Sequence, residues 1–301
     1  MKYDYLLKKC DLCRRHCGVN RLNGELGICT ANDNLIVARA ELHLWEEPPI
    51  SCENGSGTVF FSHCNLKCVF CQNHEISQEY KGAEITINRL SDIFLELQNK
   101  GANNINLVTP THYVPQIIEA IEIAKYKGLK LPILYNTNGY DTLETIKLLD
   151  GYIDVYLPDF KYFDDKYSIK YSKAKDYSSE IIPILKEMVR QTGKPSFDDK
   201  GRILKGVIIR HLLLPGLLFD SKKIIDTIYK KFKDSVYISL MNQYTPMYNA
   251  KMYPEINRSI NEKTYDSLID YSLSIGVKNG FIQESGTNSE EFVPDFNNEG
   301  V

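Results

Sequence analysis

Three cysteines within eight residues, Cys64, Cys68 and Cys71, constrain this chain more than any other feature. An apolar run, Thr58-Val59-Phe60-Phe61-Ser62, leads into them. It is long enough for a buried strand and too short for an ordinary helix. A strand that ends in a loop of three thiolates reads as a metal site, and soft thiolates select zinc or iron–sulfur clusters over hard cations. Three cysteines leave a coordination position open, which a catalytic metal needs and a structural one does not. The plainer reading is a zinc knuckle completed by His63 or His74, although zinc sites usually pair their cysteines in two separated arms.

All eight cysteines precede residue 72. A disulfide framework would spread them through the fold and would need an oxidising compartment. Two spaced clusters point instead to metal in a reducing cytosol. The second cluster is Cys10, Cys13, Cys17 and Cys29, set among polar residues and glycines. Such a segment buries little apolar surface and commonly takes its stability from a metal. Four cysteines close a tetrahedral site, so zinc is the first expectation and an auxiliary iron–sulfur cluster the second. Cys52 stands alone and reads as a bystander.

Composition mainly excludes. The 36 basic residues are balanced by 39 acidic ones, with no basic stripe to suggest nucleic acid. No run of about 18 apolar residues suggests a membrane span, and Met1 to Lys9 lacks the apolar core of a signal peptide. A cytoplasmic protein is expected.

From Thr58 onward, apolar runs alternate with amphipathic segments. Strands are expected at 58–62, 105–108, 131–135, 153–157, 206–214 and 236–240. Helices are expected between them, including 89–100, 115–127, a short one capped by Asp141 with Glu144, 178–192 and 224–232, and after the last strand at 261–275. This alternation predicts an α/β fold, a partial (β/α)6 barrel with a parallel sheet and outer helices. Residues 1–57 read as the cysteine-rich segment and a connector, extended at Glu46-Glu47-Pro48-Pro49 because proline disfavours helix at and before itself. The two glutamates either face the site or, as is more usual for carboxylates in a loop, are solvated. Residues 58–283 are the barrel. Residues 284–301 are a polar tail, whose Phe292, Val293, Pro294 and Phe296 either fray or dock back over the barrel mouth.

Chemistry in such barrels sits on loops at the C-terminal ends of the strands. Here those positions hold Thr109, Thr111 and His112, then Asn136, Thr137 and Asn138, then Asp159 and Lys161. Arg210 and His211 lie on the fifth strand; Asn242, Gln243 and Tyr244 follow the sixth. His211, inside an apolar run, reads as a core histidine. Asp159 and Lys161 read either as site residues or as a surface ion pair.

The CxxxCxxC spacing, with Phe70 before the last cysteine, resembles the radical SAM signature. That resemblance implies that Cys64, Cys68 and Cys71 hold three irons of a [4Fe–4S] cluster. S-adenosylmethionine would chelate the fourth, and one electron would cleave it to a 5′-deoxyadenosyl radical. Asn136-Thr137-Asn138-Gly139, Asp159-Phe160-Lys161 and Arg210 with Pro215-Gly216 resemble stretches of the pyruvate formate-lyase activating enzymes. Similarity to an activating-enzyme-like branch extends through the N-terminal cysteines, Glu46-Glu47-Pro48-Pro49, residues 104–113 and Gln243-Tyr244. The resemblance implies a backbone contact from Phe70 to adenine. It places Thr109 and Thr111 where that family's Gly-Gly-Glu binds the methionine amino group. It implies that Asn136, Thr137, Asp159, Lys161 and Arg210 contact the rest of S-adenosylmethionine, with Lys161 counted beside the cysteines as catalytic. Asn136 replaces an aspartate of the activating enzymes, which removes a carboxylate from their cation site. Implied partners are a flavodoxin- or ferredoxin-type electron donor and a glycyl radical protein, in an anaerobic setting; modification of a peptide or small molecule is the alternative. The rival class, a non-enzymatic metal-binding or redox-relay protein, requires a fourth protein ligand such as His63 or His74.

Overall fold

The apolar runs form strands of one sheet, and the computed structural model describes residues 2–283 and 294–301 of the chain. In chain order the strands are β1 (Leu35–His43), β2 (Ser56–Phe61), β3 (Ala83–Ile85), β4 (Ile105–Val108), β5 (Ile133–Thr137), β6 (Val155–Pro158), β7 (Ser196–Phe197), β8 (Ile203–Leu212), β9 (Tyr237–Met241) and β10 (Gly280–Ile282). Across the sheet they run β10-β9-β8-β6-β5-β4-β2-β1-β3, with β7 on β8. All pairings from β2 through β4, β5, β6, β8 and β9 to β10 are parallel. Neighbours in that series follow chain order, so each β–helix–β unit adds a strand on the same side, which is barrel winding. Among the described residues no pairing joins β10 to β3, so the barrel is open.

Every residue of β2 and β4 is buried, as expected for parallel strands covered on both faces. The helix Ile87–Asn99 starts where the Thr86 side chain accepts from the Arg89 amide; it buries Leu90, Ile93, Phe94 and Leu97 on one stripe. It packs beside the helix Val114–Tyr126, which buries Ile117, Ile118, Ile121 and Ala124. These side chains join strand residues such as Val59, Leu107 and Tyr135 in one core.

The structure corrects several expectations. Residues 36–57 are not a simple connector: β1 extends the sheet by pairing antiparallel with β2. Pro48 and Pro49 do not enforce an extended chain but open a short helix, Pro48–Ser51, because the first helical turn needs no proline N–H. Thr142, not Asp141, caps the helix Leu143–Leu148, its hydroxyl accepting from the Thr145 amide. A seventh parallel strand, β10, and a helix at Asp165–Ser172 were not anticipated. Residues 294–301 do not fray. The Asn298 amide donates to the Ala38 carbonyl at 3.0 Å, the Ala40 amide to the Glu299 carbonyl at 2.9 Å, and the Phe296 ring lies 5.6 Å from that of Phe60. Phe292 and Val293 lie outside the described residues.

Candidate active site

A cavity of about 350 Å³ opens at the C-terminal ends of the parallel strands, and Cys64, Cys68 and Cys71 all line it. The cysteine loop leaves β2 through His63, whose φ is 70°. Hydrogen-bonding groups meet each sulfur: Ser172 Oγ lies 3.0 Å from Cys68 Sγ and Ser77 Oγ 3.2 Å from Cys71 Sγ. Cys64 Sγ accepts from the Leu66 amide at 3.4 Å and from Asn138 Nδ2 at 3.5 Å. Burial pushes the Cys64 thiol up to about 12 and Cys71 to about 11, with Cys68 also raised. Free thiols here would be neutral at pH 7, so holding them as thiolates requires a bound cationic centre.

Among the described residues, neither His63 nor His74 is gathered with the three cysteines around one ion as a zinc knuckle needs. His63 Nδ1 is engaged by Thr30 Oγ1 at 3.0 Å and faces the Cys29 carbonyl at 3.2 Å, and its ring stacks on Tyr80. His74 stacks on Tyr248 and does not line the cavity. Among the described residues, no three or more His, Cys, Asp or Glu side chains close around a single ion. Three thiols with donors around their sulfurs, under a roomy cavity, fit an iron–sulfur cluster with one site left for a ligand.

Phe70, Thr109, Asn136, Thr137, Asp159, Lys161 and Arg210 line the same cavity. Thr109 is held at φ 57°, with its amide donating to the Asn136 carbonyl at 2.9 Å. A β-branched residue in the left-handed region carries strain of about 1–3 kcal/mol, and such strain collects at functional sites. Lys161 Nζ lies 2.5 Å from Asp159 Oδ2. Burial works against its charge, but Asp159 and then Cys68 outweigh this and raise the Lys161 pKa. The pair thus lies inside the cavity and not on the outer surface. Phe70 packs edge-on to Tyr244, whose hydroxyl donates to the Ile256 carbonyl at 2.7 Å. Gln72 Nε2 donates to the Gln243 carbonyl at 2.9 Å.

Arg210 is surrounded by carboxylates. Its Nε donates to Glu47 Oε1 at 2.8 Å, and its Nη2 contacts both Glu46 and Glu47. Asn106 Nδ2 fixes the other Glu46 oxygen at 2.7 Å. Burial disfavours the Arg210 charge, but Glu46 and Glu47 hold its pKa well above the usual value. The sequence reading favoured solvent over the site for both glutamates. The signal available was the apolar alternation of residues 35–42, which marks β1 and so places Glu46 just beyond a strand.

Thr111 does not reach the cavity. Its hydroxyl donates to Asp141 Oδ1 at 2.8 Å, as does Tyr135 at 2.8 Å, while Thr137 donates to Oδ2 at 2.6 Å. Burial raises the Asp141 pKa against these three donors. Asp141 thus positions Thr137 from behind, a role its sequence neighbourhood did not reveal. His112 Nε2 hydrogen-bonds the Ser62 carbonyl at 2.7 Å in the core. His211 Nδ1 bonds the Phe160 carbonyl at 2.8 Å, and burial pushes His211 down to about 4, as suits a core histidine. Cys10, Cys13, Cys17 and Cys29 come together around a second, much smaller cavity.

Residues 58–228, more than half of the chain, match the model of the radical SAM superfamily. The chain belongs to the radical SAM superfamily. An uncharacterized protein of Methanocaldococcus jannaschii is 33% identical over 282 residues, 91% of this chain and 75% of its own length. Among solved structures, likeness of fold extends to two larger proteins. SuiB of Streptococcus suis, bound to S-adenosylmethionine, aligns with a TM-score of 0.51 and 15% identity over 74% of this chain and 49% of SuiB. The same enzyme bound to its precursor peptide SuiA gives 0.50 and 15%, over 74% and 47%. The FeFe-hydrogenase maturase HydG of Carboxydothermus hydrogenoformans gives 0.51 and 16%, over 76% and 54%. This radical SAM chain thus spans about half the length of those proteins. No helix among its described residues is long and apolar enough to cross a membrane.

Proposed function

We propose that this chain reductively cleaves S-adenosylmethionine at a [4Fe–4S] cluster held by Cys64, Cys68 and Cys71, and that the resulting radical abstracts a hydrogen atom from a polypeptide. The observation that carries the reading is a set of three cavity-lining cysteines, joined around one ion by no fourth protein ligand among the described residues, at the strand ends of an open barrel. When bound, the cluster and S-adenosylmethionine supply one-electron cleavage of a sulfonium to a 5′-deoxyadenosyl radical.

The chain's own residues bind, orient and screen. Lys161 keeps a positive charge beside Cys68 and offers a charge-assisted hydrogen bond to a ligand carboxylate. Asn138, Ser77 and Ser172 present hydrogen-bonding groups to the three sulfurs. Asn136 and Thr137 line the cavity at the end of β5, with Thr137 fixed by Asp141. The strained Thr109 turns the chain into the cavity. Arg210, already paired with Glu46 and Glu47, holds the far wall together and leaves recognition of the carboxylate to Lys161.

The motifs shared with activating enzymes support a backbone glycine of a partner protein as the hydrogen donor, with a flavodoxin- or ferredoxin-type protein as reductant. Modification of a peptide is the second reading; the fold relative SuiB binds a precursor peptide. The test is anaerobic. Reconstituted protein receives dithionite and S-adenosylmethionine, and 5′-deoxyadenosine is measured beside the Cys68→Ala variant. Product from the wild type alone supports the reading. If S-adenosylmethionine leaves the spectrum of an intact cluster unchanged and no product forms, the reading fails.

A further inference from the structure

Outside the large cavity, Cys10, Cys13, Cys17 and Cys29 line a second one of about 10 Å³, room for one water-sized body and far too little for a four-iron cluster. None of the four is disulfide-bonded. Arg21 lines the same cavity and is fully buried. Its guanidinium donates to the Asn32 carbonyl and, at 2.6 Å, to the His112 carbonyl, with Cys10 Sγ at 4.0 Å. Among the described residues no carboxylate pairs with it. A buried cation that faces carbonyls, sulfur and, at 5.9 Å, the Tyr113 ring, but no carboxylate among the described residues, is stabilised by a negative partner. Four thiolates around one divalent ion carry a net double negative charge and supply it.

The two residues after Cys13 tie this segment to the large cavity. Arg14 donates to the carbonyls of Gly139, Asp176 and Tyr177 at 2.6–3.0 Å. Arg15 Nε donates to the Asn65 carbonyl at 2.8 Å, inside the cysteine loop, and its other nitrogens reach the Lys173 and Ser172 carbonyls. Ser172 is the residue whose hydroxyl meets Cys68. Backbone bridging between Cys13 and Asp141 adds a further join, just past the end of β5 that carries Asn136 and Thr137.

We propose that Cys10, Cys13, Cys17 and Cys29 close around a single zinc ion, and that this ion anchors Arg15 as a clamp on the Cys64–Cys71 loop, with Arg14 tying the segment to Gly139, Asp176 and Tyr177 beside it. The four side chains line the cavity but are not gathered around one point among the described residues, so binding draws the sulfurs together. Each thiol releases its proton to solvent as the ion enters. Arg15 is a positioning residue, acting on the cluster through Asn65 and Ser172. The zinc site stands independently of the proposed function; the clamp rests on it.

The test counts zinc and iron in full-length protein purified anaerobically. It uses the wild type, a Cys64→Ser/Cys68→Ser/Cys71→Ser variant, Cys29→Ser and Arg15→Ala. About one zinc per chain is expected in the wild type and in the triple variant, and almost none in Cys29→Ser. Iron in place of zinc in the triple variant, or no metal in it, overturns the site. If Cys29→Ser does not fold, the triple variant decides alone. Arg15→Ala should keep its zinc and still fold, yet lose iron to a chelator about tenfold faster, the usual scale for outer-shell changes at metal sites. An unchanged rate of iron loss overturns the clamp and leaves the zinc site standing.

Discussion

Replacing Arg210 should destabilise the fold more than replacing Glu47, and the deficit should grow as pH rises. Arg210 and Glu47 are 9% and 8% exposed, and Glu46 completes the group. In Glu47→Gln the guanidinium keeps Glu46, so no charge is left unpaired. The loss is limited to charge-assisted hydrogen bonding, about 1.5–3 kcal/mol. In Arg210→Met the cation goes and two carboxylates face each other without it. Breaking a buried pair this way costs about 3–5 kcal/mol. The pH signs also differ. In the wild type, burial raises the Glu47 pKa but Arg210 outweighs it, so the carboxyl sits below its ordinary range. Its contribution is present above the unfolded pKa and is lost as pH falls through the folded one. In Arg210→Met, burial and mutual repulsion raise the carboxyl pKa instead. That variant is least handicapped below the unfolded pKa and loses stability as pH rises through the raised value. Urea unfolding of iron-free protein, followed by far-ultraviolet circular dichroism at about pH 5 and pH 8, measures both effects. A deficit for Arg210→Met that is smaller than that of Glu47→Gln, or equal at both pH values, refutes the reasoning.

Three further outcomes are expected. Gly139→Ala should destabilise by about 2 kcal/mol or more, because Gly139 sits at φ 74° and an added Cβ would lie 2.5 Å from the Asp159 carbonyl oxygen; denaturant titration checks it. Asp141→Asn puts an amide against three donor hydroxyls and should lose about 2–3 kcal/mol in the same titration. Ser172→Ala should leave the fold intact but lower the reduction potential of the cluster, since its hydroxyl lies 3.0 Å from Cys68 Sγ. Potentiometry followed by electron paramagnetic resonance would show this, and an unchanged potential would discount that contact.

Several elements were legible because their signals are local. Buried parallel strands appear as short apolar runs, so β4 and β9 fell within a residue of the expected positions. The stripe Leu90, Ile93, Phe94 and Leu97 marked its helix by spacing alone. Asp159 and Lys161 follow a strand directly, and their place on the rim followed from barrel winding. Short or unusual elements were lost. Pro48-Pro49 signalled extension where the chain makes a first helical turn, and three-residue β10 carries too little periodicity to recognise.

The sequence by itself determined the cysteine loop, the alternation that winds the barrel and the rim on which the chemistry lies, since each depends on residues close together in the chain. Only the tertiary structure decided which buried charges meet. Glu47 and Arg210 are 163 residues apart, and Arg15 reaches a carbonyl 50 residues away. Thr111 turns to Asp141 rather than to the cavity. A buried charge or hydroxyl takes whichever partner the packed sheet brings within about 3 Å, and no spacing along the chain encodes that distance.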